Sequence, residues 1–158
     1  MENEISCIPQ GIKTQAIKIN ELRNINVNHK DLFYLLQQLT SAPEMDKQVY
    51  LEVIQNLPKN QYIFVMTNNE KPIGMISLLI EQKLIHGGSK VGHIEDVIVD
   101  KAHQHKGYAT KLIQHTIAVA KLHQCYKCIL NCTDEVKPLY DKNGFTKKTN
   151  GMSLYFKH

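Results

Sequence analysis

Apolar residues recur along this chain with two different periods, and each change of period marks an element. From Asn28 onward, Leu32, Phe33, Leu35, Leu36 and Leu39 make the stripe of an amphipathic helix that ends near Thr40. Ser41, Ala42, Pro43 and Glu44 then have the form of a capping box with proline in the first turn. Val49, Tyr50, Val53, Ile54 and Leu57 supply the stripe of a second helix, which Pro58 stops. Residues 62–67 and 73–82 are rich in β-branched and apolar side chains and flank Asn68, Asn69, Glu70, Lys71 and Pro72, so a hairpin is the economical reading. Gly87 and Gly88 turn the chain into a further strand over residues 93–99, which completes an antiparallel meander. Ahead of these, residues 14–20 alternate well enough for a first strand, and residues 1–13 form a loose lead-in with no clear period.

The strand at residues 93–99 is central. Ile94, Val97, Ile98 and Val99 form a nearly continuous β-branched run, the pattern of a strand covered on both faces. Glu95 and Asp96 interrupt it, and strict alternation sends them to opposite faces, where an unpaired charge is costly to bury. After a turn, a helix starts at Ala109 and carries Leu112, Ile113, Thr116, Ile117 and Ala120 on one stripe. Residues 126–132 return as a strand, parallel to the central one because a helical crossover separates them. Asp134 is placed to cap a short helix carrying Tyr140, which Asn143 and Gly144 stop. Residues 145–148 and 152–157 are strand-like, with a turn at Thr149, Asn150 and Gly151. The sum is an α/β domain, a mixed antiparallel and parallel sheet flanked by helices on both faces.

Length makes this one domain over residues 1–158. The net charge of +4 is mild, the lysines are scattered and no aromatic residues interleave with a basic run, which argues against nucleic acid. No apolar run approaches membrane-spanning length, and MENEISCIPQ lacks the basic start and apolar core of a secretory signal, so a cytoplasmic protein is expected. Among Cys7, Cys125, Cys128 and Cys132, the spacing of Cys125 and Cys128 is the one with a metal-like look. A strand there sends the two to opposite faces, and no second ligand pair is present. The expectation is no metal and free, mostly buried thiols.

The turn before the long helix is where chemistry concentrates. A strand, a glycine-containing turn and a helix N-terminus leave successive backbone N–H groups without partners, and the helix dipole favours phosphate there. Neither dinucleotide-binding nor Walker-type glycine spacing is present. The turn reads instead as Gln104, His105, Lys106, Gly107, Tyr108 and Ala109, a Q-x-x-G-x-A pattern. It resembles the coenzyme A pyrophosphate loop of the GNAT acyltransferase superfamily. Gly92-His93-Ile94-Glu95-Asp96 before the loop, Cys125-Tyr126-Lys127 after the helix, and residues 139–145 (LYDKNGF) resemble, in order and spacing, the glucosamine-6-phosphate N-acetyltransferases. The resemblance runs from Lys83 to the C-terminus and is weaker before that.

The resemblance implies acetyl-CoA as co-substrate, glucosamine 6-phosphate as acceptor and direct attack in a ternary complex, giving the precursor of UDP-N-acetylglucosamine. It also implies a homodimer with sites shared across the interface. The backbone of Val97, Ile98 and Val99 would pair with the pantetheine arm, and Gln104 to Ala109 would hold the pyrophosphate. Tyr140 matches a tyrosine near the sulfur, where a phenol can protonate the leaving thiolate. Glu95 and Asp96 match a pair that binds the amino sugar; Lys83, His86 and Thr40 match positions on the acceptor side. Three departures stand out. Asn131 replaces an acid that orients or activates the amine, which leaves water, backbone carbonyls or Glu95 to take the proton. Lys157 replaces an arginine, giving one point charge where a bidentate fork is usual. Val136 replaces an asparagine that bonds the cofactor arm. Acetyl transfer to a peptide or another small amine, and a non-catalytic acyl-CoA sensor, remain alternatives, since one scaffold hosts many acceptors.

Overall fold

The computed structural model describes residues 16–156. The lead-in at residues 1–13, the first residues of the expected first strand, Cys7 and Lys157 lie outside the described residues. Five strands form one sheet in the order β1 (Ile17–Glu21), β2 (Gln61–Asn68), β3 (Lys71–Gln82), β4 (Lys90–Val99) and β5 (Cys125–Ile129). The first four are antiparallel neighbours, and β5 runs parallel to β4. Four α-helices complete the described chain: α1 (His29–Leu36), α2 (Lys47–Gln55), α3 (Tyr108–Leu122) and α4 (Lys137–Lys142). The hairpin between β2 and β3 closes on Asn69 and Glu70, both left-handed at φ 48° and 68°, a turn whose twist suits the flanking strands.

Helix boundaries follow their caps more than their apolar stripes. Asn28 accepts from the backbone N–H groups of Lys30 and Asp31 and starts α1, which ends at Leu36, short of the expected Thr40. The expected capping box at residues 41–44 does not form. Asp46 is the N-cap of α2, accepting from Gln48 N–H at 2.8 Å, because its charge sits well at a helix N-terminus. Of the α2 stripe, Tyr50 and Ile54 reach the core, while Val49 and Val53 are exposed. Likewise α4 begins after Val136, with Asp134 in the preceding turn and Lys137 N–H on the carbonyl of Thr133. Gly144, left-handed at φ 87°, ends it.

The core lies on both faces of the sheet. Phe64, Met66, Ile76, Leu78, Ile94 and Val99 pack under Leu112, Ile113 and Ala120 of α3 with Tyr140 of α4. Val65, Met75 and Ile98 face Leu32 and Leu35 of α1 with Leu22 and Val27. Ile94 and Val99 share a face although an odd number of positions separates them, which strict alternation forbids. The register explains it: Ser77 faces Glu95 and Met75 faces Ile98, so β4 carries one extra residue, a bulge, at Asp96, whose φ is 52°. The expectation that Glu95 and Asp96 take opposite, covered faces is thereby corrected. Asp96 Oδ2 accepts from Ser77 Oγ at 3.3 Å, on the side of the sheet where Glu95 also lies, and both acids are exposed.

A second register shift corrects the cysteine reading. Lys90 faces Cys125 and Gly92 faces Cys128, so the extra residue in β5 brings the two thiols to one face instead of two. Burial raises both thiol pKa values, and no group of three or more metal-ligating side chains occurs among the described residues. The strand-like stretches after Phe145 are not strands: residues 145–156 have no ladder partner among the described residues, and Met152, Leu154, Tyr155 and Phe156 are 97%, 79%, 90% and 75% exposed. Their alternation suits a strand, but a strand needs an edge to pair with.

Gly92 sits where β4 meets side chains of β3, β5 and α3 at close quarters. A Cβ there would stand 3.1 Å from Cys128 Sγ, 3.1 Å from Leu78 Cδ1 and 3.4 Å from Ala120 Cβ. Gly92→Ala should destabilise the fold by about 1–3 kcal/mol in urea unfolding, and adding Cys128→Ala should recover part of that loss. An undiminished unfolding midpoint in the single variant would contradict this packing.

Candidate active site

The sheet opens beside its central strand. β5 pairs with Lys90, Val91, Gly92 and His93 of β4 and then ends, so at residues 94–99 one edge of β4 has no strand partner among the described residues. Val97, Ile98 and Val99 lie in this open stretch, held from the other side where Val99 faces Gly74 and Ile98 faces Met75 of β3. An extended, amide-bearing ligand can hydrogen-bond to such an edge as an added strand would.

The loop that follows is folded to leave donors free. Lys101–His103 makes one short 3₁₀ turn, Gln104 Nε2 donates to the carbonyl of Val99 at 3.3 Å, and Lys106 Nζ donates to that of Ala102 at 3.4 Å. His105 and Gly107 are left-handed at φ 60° and 77°, and Gly107 is the N-cap of α3. Among the described residues no side chain caps α3, and none stands within 4 Å of where a Gly107 Cβ would be. The first-turn N–H groups, including those of Tyr108 and Ala109, therefore face open space at the positive end of a 15-residue helix, suited to an anionic group.

Three side chains with acid–base character lie on or beside the elements that flank the open edge, Tyr140 on the α3 side of the sheet and Glu95 and Asp96 on the other. Tyr140 on α4 is buried in the same cluster as Ile94 and Val99, with its ring edge-on to Phe145 at 6.0 Å between centroids. Burial pushes its phenol above the ordinary tyrosine value, and the charges of nearby Cys132 and Glu95 push the same way. Glu95 and Asp96 stand exposed on the bulge. Asn131, also exposed, sits under the C-terminal segment, with its Oδ1 only 2.7 Å from the ideal Cβ position of Gly151.

Other expected site residues lie elsewhere. Lys83 pairs with Glu81 Oε1 at 2.5 Å, and His93 takes Glu81 Oε2 at 2.7 Å; these hydrogen bonds hold the Glu81 carboxyl below its usual range. His86, at φ 52° in the β3–β4 turn, packs tilted against Tyr126 with 4.8 Å between ring centroids. Since Lys83 lies beside Ser89, it is about 20 Å along β4 from Glu95 at about 3.3 Å per residue. Within one chain, Lys83 and His86 are thus not brought to the acids. Thr40 is exposed just beyond α1, with its N–H on the carbonyl of Leu36 at 3.2 Å.

A polar brace that no sequence pattern signals ties α1 to the loop. Gln38 Nε2 donates to Asp100 Oδ1 at 2.9 Å, Gln38 Oε1 accepts from Lys101 N–H at 2.9 Å, and His103 Nδ1 lies 2.6 Å from Asp100 Oδ2. Burial alone would raise the Asp100 carboxyl, but Gln38 and His103 together hold it below the usual carboxylate range. The partners of Gln38 lie 62 and 63 positions away in the chain, so periodicity carries no trace of them.

Comparison with known proteins agrees with this geometry. Residues 29–145 match the Acetyltransferase (GNAT) family. A probable glucosamine 6-phosphate N-acetyltransferase 2 of Oryza sativa subsp. japonica is 33% identical over 136 residues, covering 82% of this chain and 82% of the rice protein. The glucosamine 6-phosphate N-acetyltransferase of Candida albicans is 32% identical over 151 residues, covering 93% of this chain and 96% of its own. The crystal structure of glucosamine-6-phosphate N-acetyltransferase from Arabidopsis thaliana superposes with a TM-score of 0.79 at 30% identity, covering 90% of this chain and 100% of that one. With a parted β4 and β5, a glycine-started α3 and this match over most of its length, the chain belongs to the GNAT family of acetyltransferases.

Proposed function

We propose that this protein moves the acetyl group of acetyl-CoA to the amine of D-glucosamine 6-phosphate, in a ternary complex, giving N-acetyl-D-glucosamine 6-phosphate for UDP-N-acetylglucosamine synthesis. The choice of acceptor is supported by the names of the rice, Candida and Arabidopsis relatives. The chemistry is supported by one observation: the open edge of β4, bounded by the uncapped N-terminus of α3 and the buried Tyr140, with Glu95 and Asp96 exposed beside it.

The residues present fit acetyl-CoA. The loop from Gln104 to Ala109 offers backbone donors and an open space over Gly107 for a pyrophosphate, and the free edge at Val97, Ile98 and Val99 suits the amides of pantetheine. Unpaired N–H groups of the bulged strand would stabilise the oxyanion. The acceptor nitrogen bonds to the thioester carbon while the carbon–sulfur bond breaks. Nitrogen's proton passes to Glu95, directly or through water, because Asn131 can orient the amine but cannot accept a proton. The thiolate takes its proton from Tyr140, whose raised pKa keeps it protonated until needed. Asp96, steadied by Ser77, would accept from sugar hydroxyls.

In this reading Thr40, Lys83, His86 and Lys157 serve the sugar phosphate. The distance of Lys83 and His86 from Glu95 along one chain supports a homodimer in which each subunit completes the other's site. The extended, exposed run of Met152, Leu154, Tyr155 and Phe156 supports the same arrangement, because a second copy could cover it. The free thiols of Cys125, Cys128 and Cys132 suit the reducing cytoplasm, and the reaction as drawn uses no metal, nucleic acid or membrane.

Thiol release from acetyl-CoA should be at least about a hundredfold more efficient, in kcat/KM, with glucosamine 6-phosphate than with glucosamine, given the strength of charge-assisted phosphate contacts. Equal efficiency with both sugars would overturn the acceptor assignment. Tyr140→Phe keeps the packing on Phe145 and removes the proton, so kcat should fall about a hundredfold or more while both KM values stay nearly constant. Since the folded phenol titrates above about 10, wild-type kcat should show no loss from Tyr140 ionisation below that pH. A Tyr140→Phe variant with wild-type kcat would remove Tyr140 from the chemistry.

A further inference from the structure

One side chain joins the end of α1 to the root of the loop before α3. Gln38 uses both ends of its amide, donating from Nε2 to Asp100 Oδ1 and accepting at Oε1 from Lys101 N–H, each at 2.9 Å. Asp100 is anchored in turn: its N–H donates to the carbonyl of Ile73 on β3, and its Oδ2 holds His103 Nδ1 at 2.6 Å. His103 is followed directly by Gln104, whose amide returns to the carbonyl of Val99. The loop therefore has a fixed root, and Gln38 is the one side chain in this brace that comes from outside the β4–α3 connection.

A half-buried glutamine gives up rotamer freedom only where both ends of its amide find partners, and here one partner is a carboxylate. We propose that Gln38 is a positioning residue for cofactor binding. By fixing Asp100 and Lys101, it sets the register in which Gln104 to Ala109 and the first turn of α3 present their N–H groups. The inference rests on the reading of that loop as the pyrophosphate site. Gln38 touches neither the reacting atoms nor Tyr140, so its loss should weaken acetyl-CoA binding and leave the chemical step alone.

The geometry also suggests a restoring exchange. Gln38→Glu keeps the shape and the acceptor for Lys101 N–H but sets a second carboxylate against Asp100. Adding Asp100→Asn puts an amide opposite that new carboxylate, so the donor and acceptor simply change sides, and the amide oxygen can still face His103.

The test is steady-state kinetics in acetyl-CoA for wild type, Gln38→Ala, Gln38→Glu and the double variant Gln38→Glu with Asp100→Asn, alongside calorimetric titration of each with coenzyme A. Gln38→Ala should raise the KM and Kd about tenfold with kcat within about twofold, and Gln38→Glu should do at least as much. The double variant should return to within about threefold of wild type, a recovery that a merely destabilised fold would not show. An unchanged KM and Kd in Gln38→Ala, or a double variant no better than Gln38→Glu, would overturn the proposal while wild type still binds coenzyme A. If wild type itself binds none, the reading of the loop fails, and this inference with it.

Discussion

The extra residue in β4 is the constraint on which the rest of the site depends. Without it, alternation would place Ile94 and Val99 on opposite faces, and the cluster under α3 would lose one of them. With it, Ile94 and Val99 share the α3 face, Ile98 turns to α1, and the two acids share an exposed side at the point where the phase changes. A bulge also bends its strand and leaves backbone groups unpaired. Here it falls just after β5 stops pairing, so bend, bare edge and carboxylates coincide. Asp96 tolerates the left-handed backbone that the bulge requires better than a branched apolar residue would.

Electrostatics divides the acids and bases by environment. The phenol of Tyr140 is buried, which favours its neutral, proton-bearing form. Asp100 also suffers burial, but hydrogen bonds from Gln38 and His103 outweigh it and favour the charged form. Glu81 is occupied by Lys83 and His93, so these two side chains steady the turn between β3 and β4 in the isolated chain. Tyr140 is thus kept protonated and Asp100 ionised, on elements that approach from both faces of the sheet.

Surface left bare by one copy lies in definite places. The outer side of α2 exposes Val49 and Val53, and the segment after Asn150 exposes four large apolar side chains within five residues. Isolated exposed apolar residues are ordinary, whereas a run of them on an extended segment is not. The same segment crosses Asn131, the Oδ1 of which stands 2.7 Å from the ideal Cβ position of Gly151.

Sequence alone determined the elements and their order. The 3.6-residue stripe of α3 appears with its apolar positions at Leu112, Ile113, Thr116 and Ala120, and the β2–β3–β4 meander and parallel β5 follow from strand patterns and the crossover rule. The loop motif, together with LYDKNGF, also pointed to the acetyltransferase family, because glycine at a left-handed helix start and a tyrosine on the next helix are local features. Tertiary structure decided whatever depends on register and long-range partners. The capping box at residues 41–44 yielded to Asp46, and the terminal strands found no edge among the described residues. Cys125 and Cys128 met on one face, Glu95 and Asp96 on one side, and Gln38 reached Asp100 across 62 positions. A single inserted residue reverses every later side chain in a strand, and hydrogen bonds between distant segments leave no periodicity behind. Such features exist only once the strands are paired.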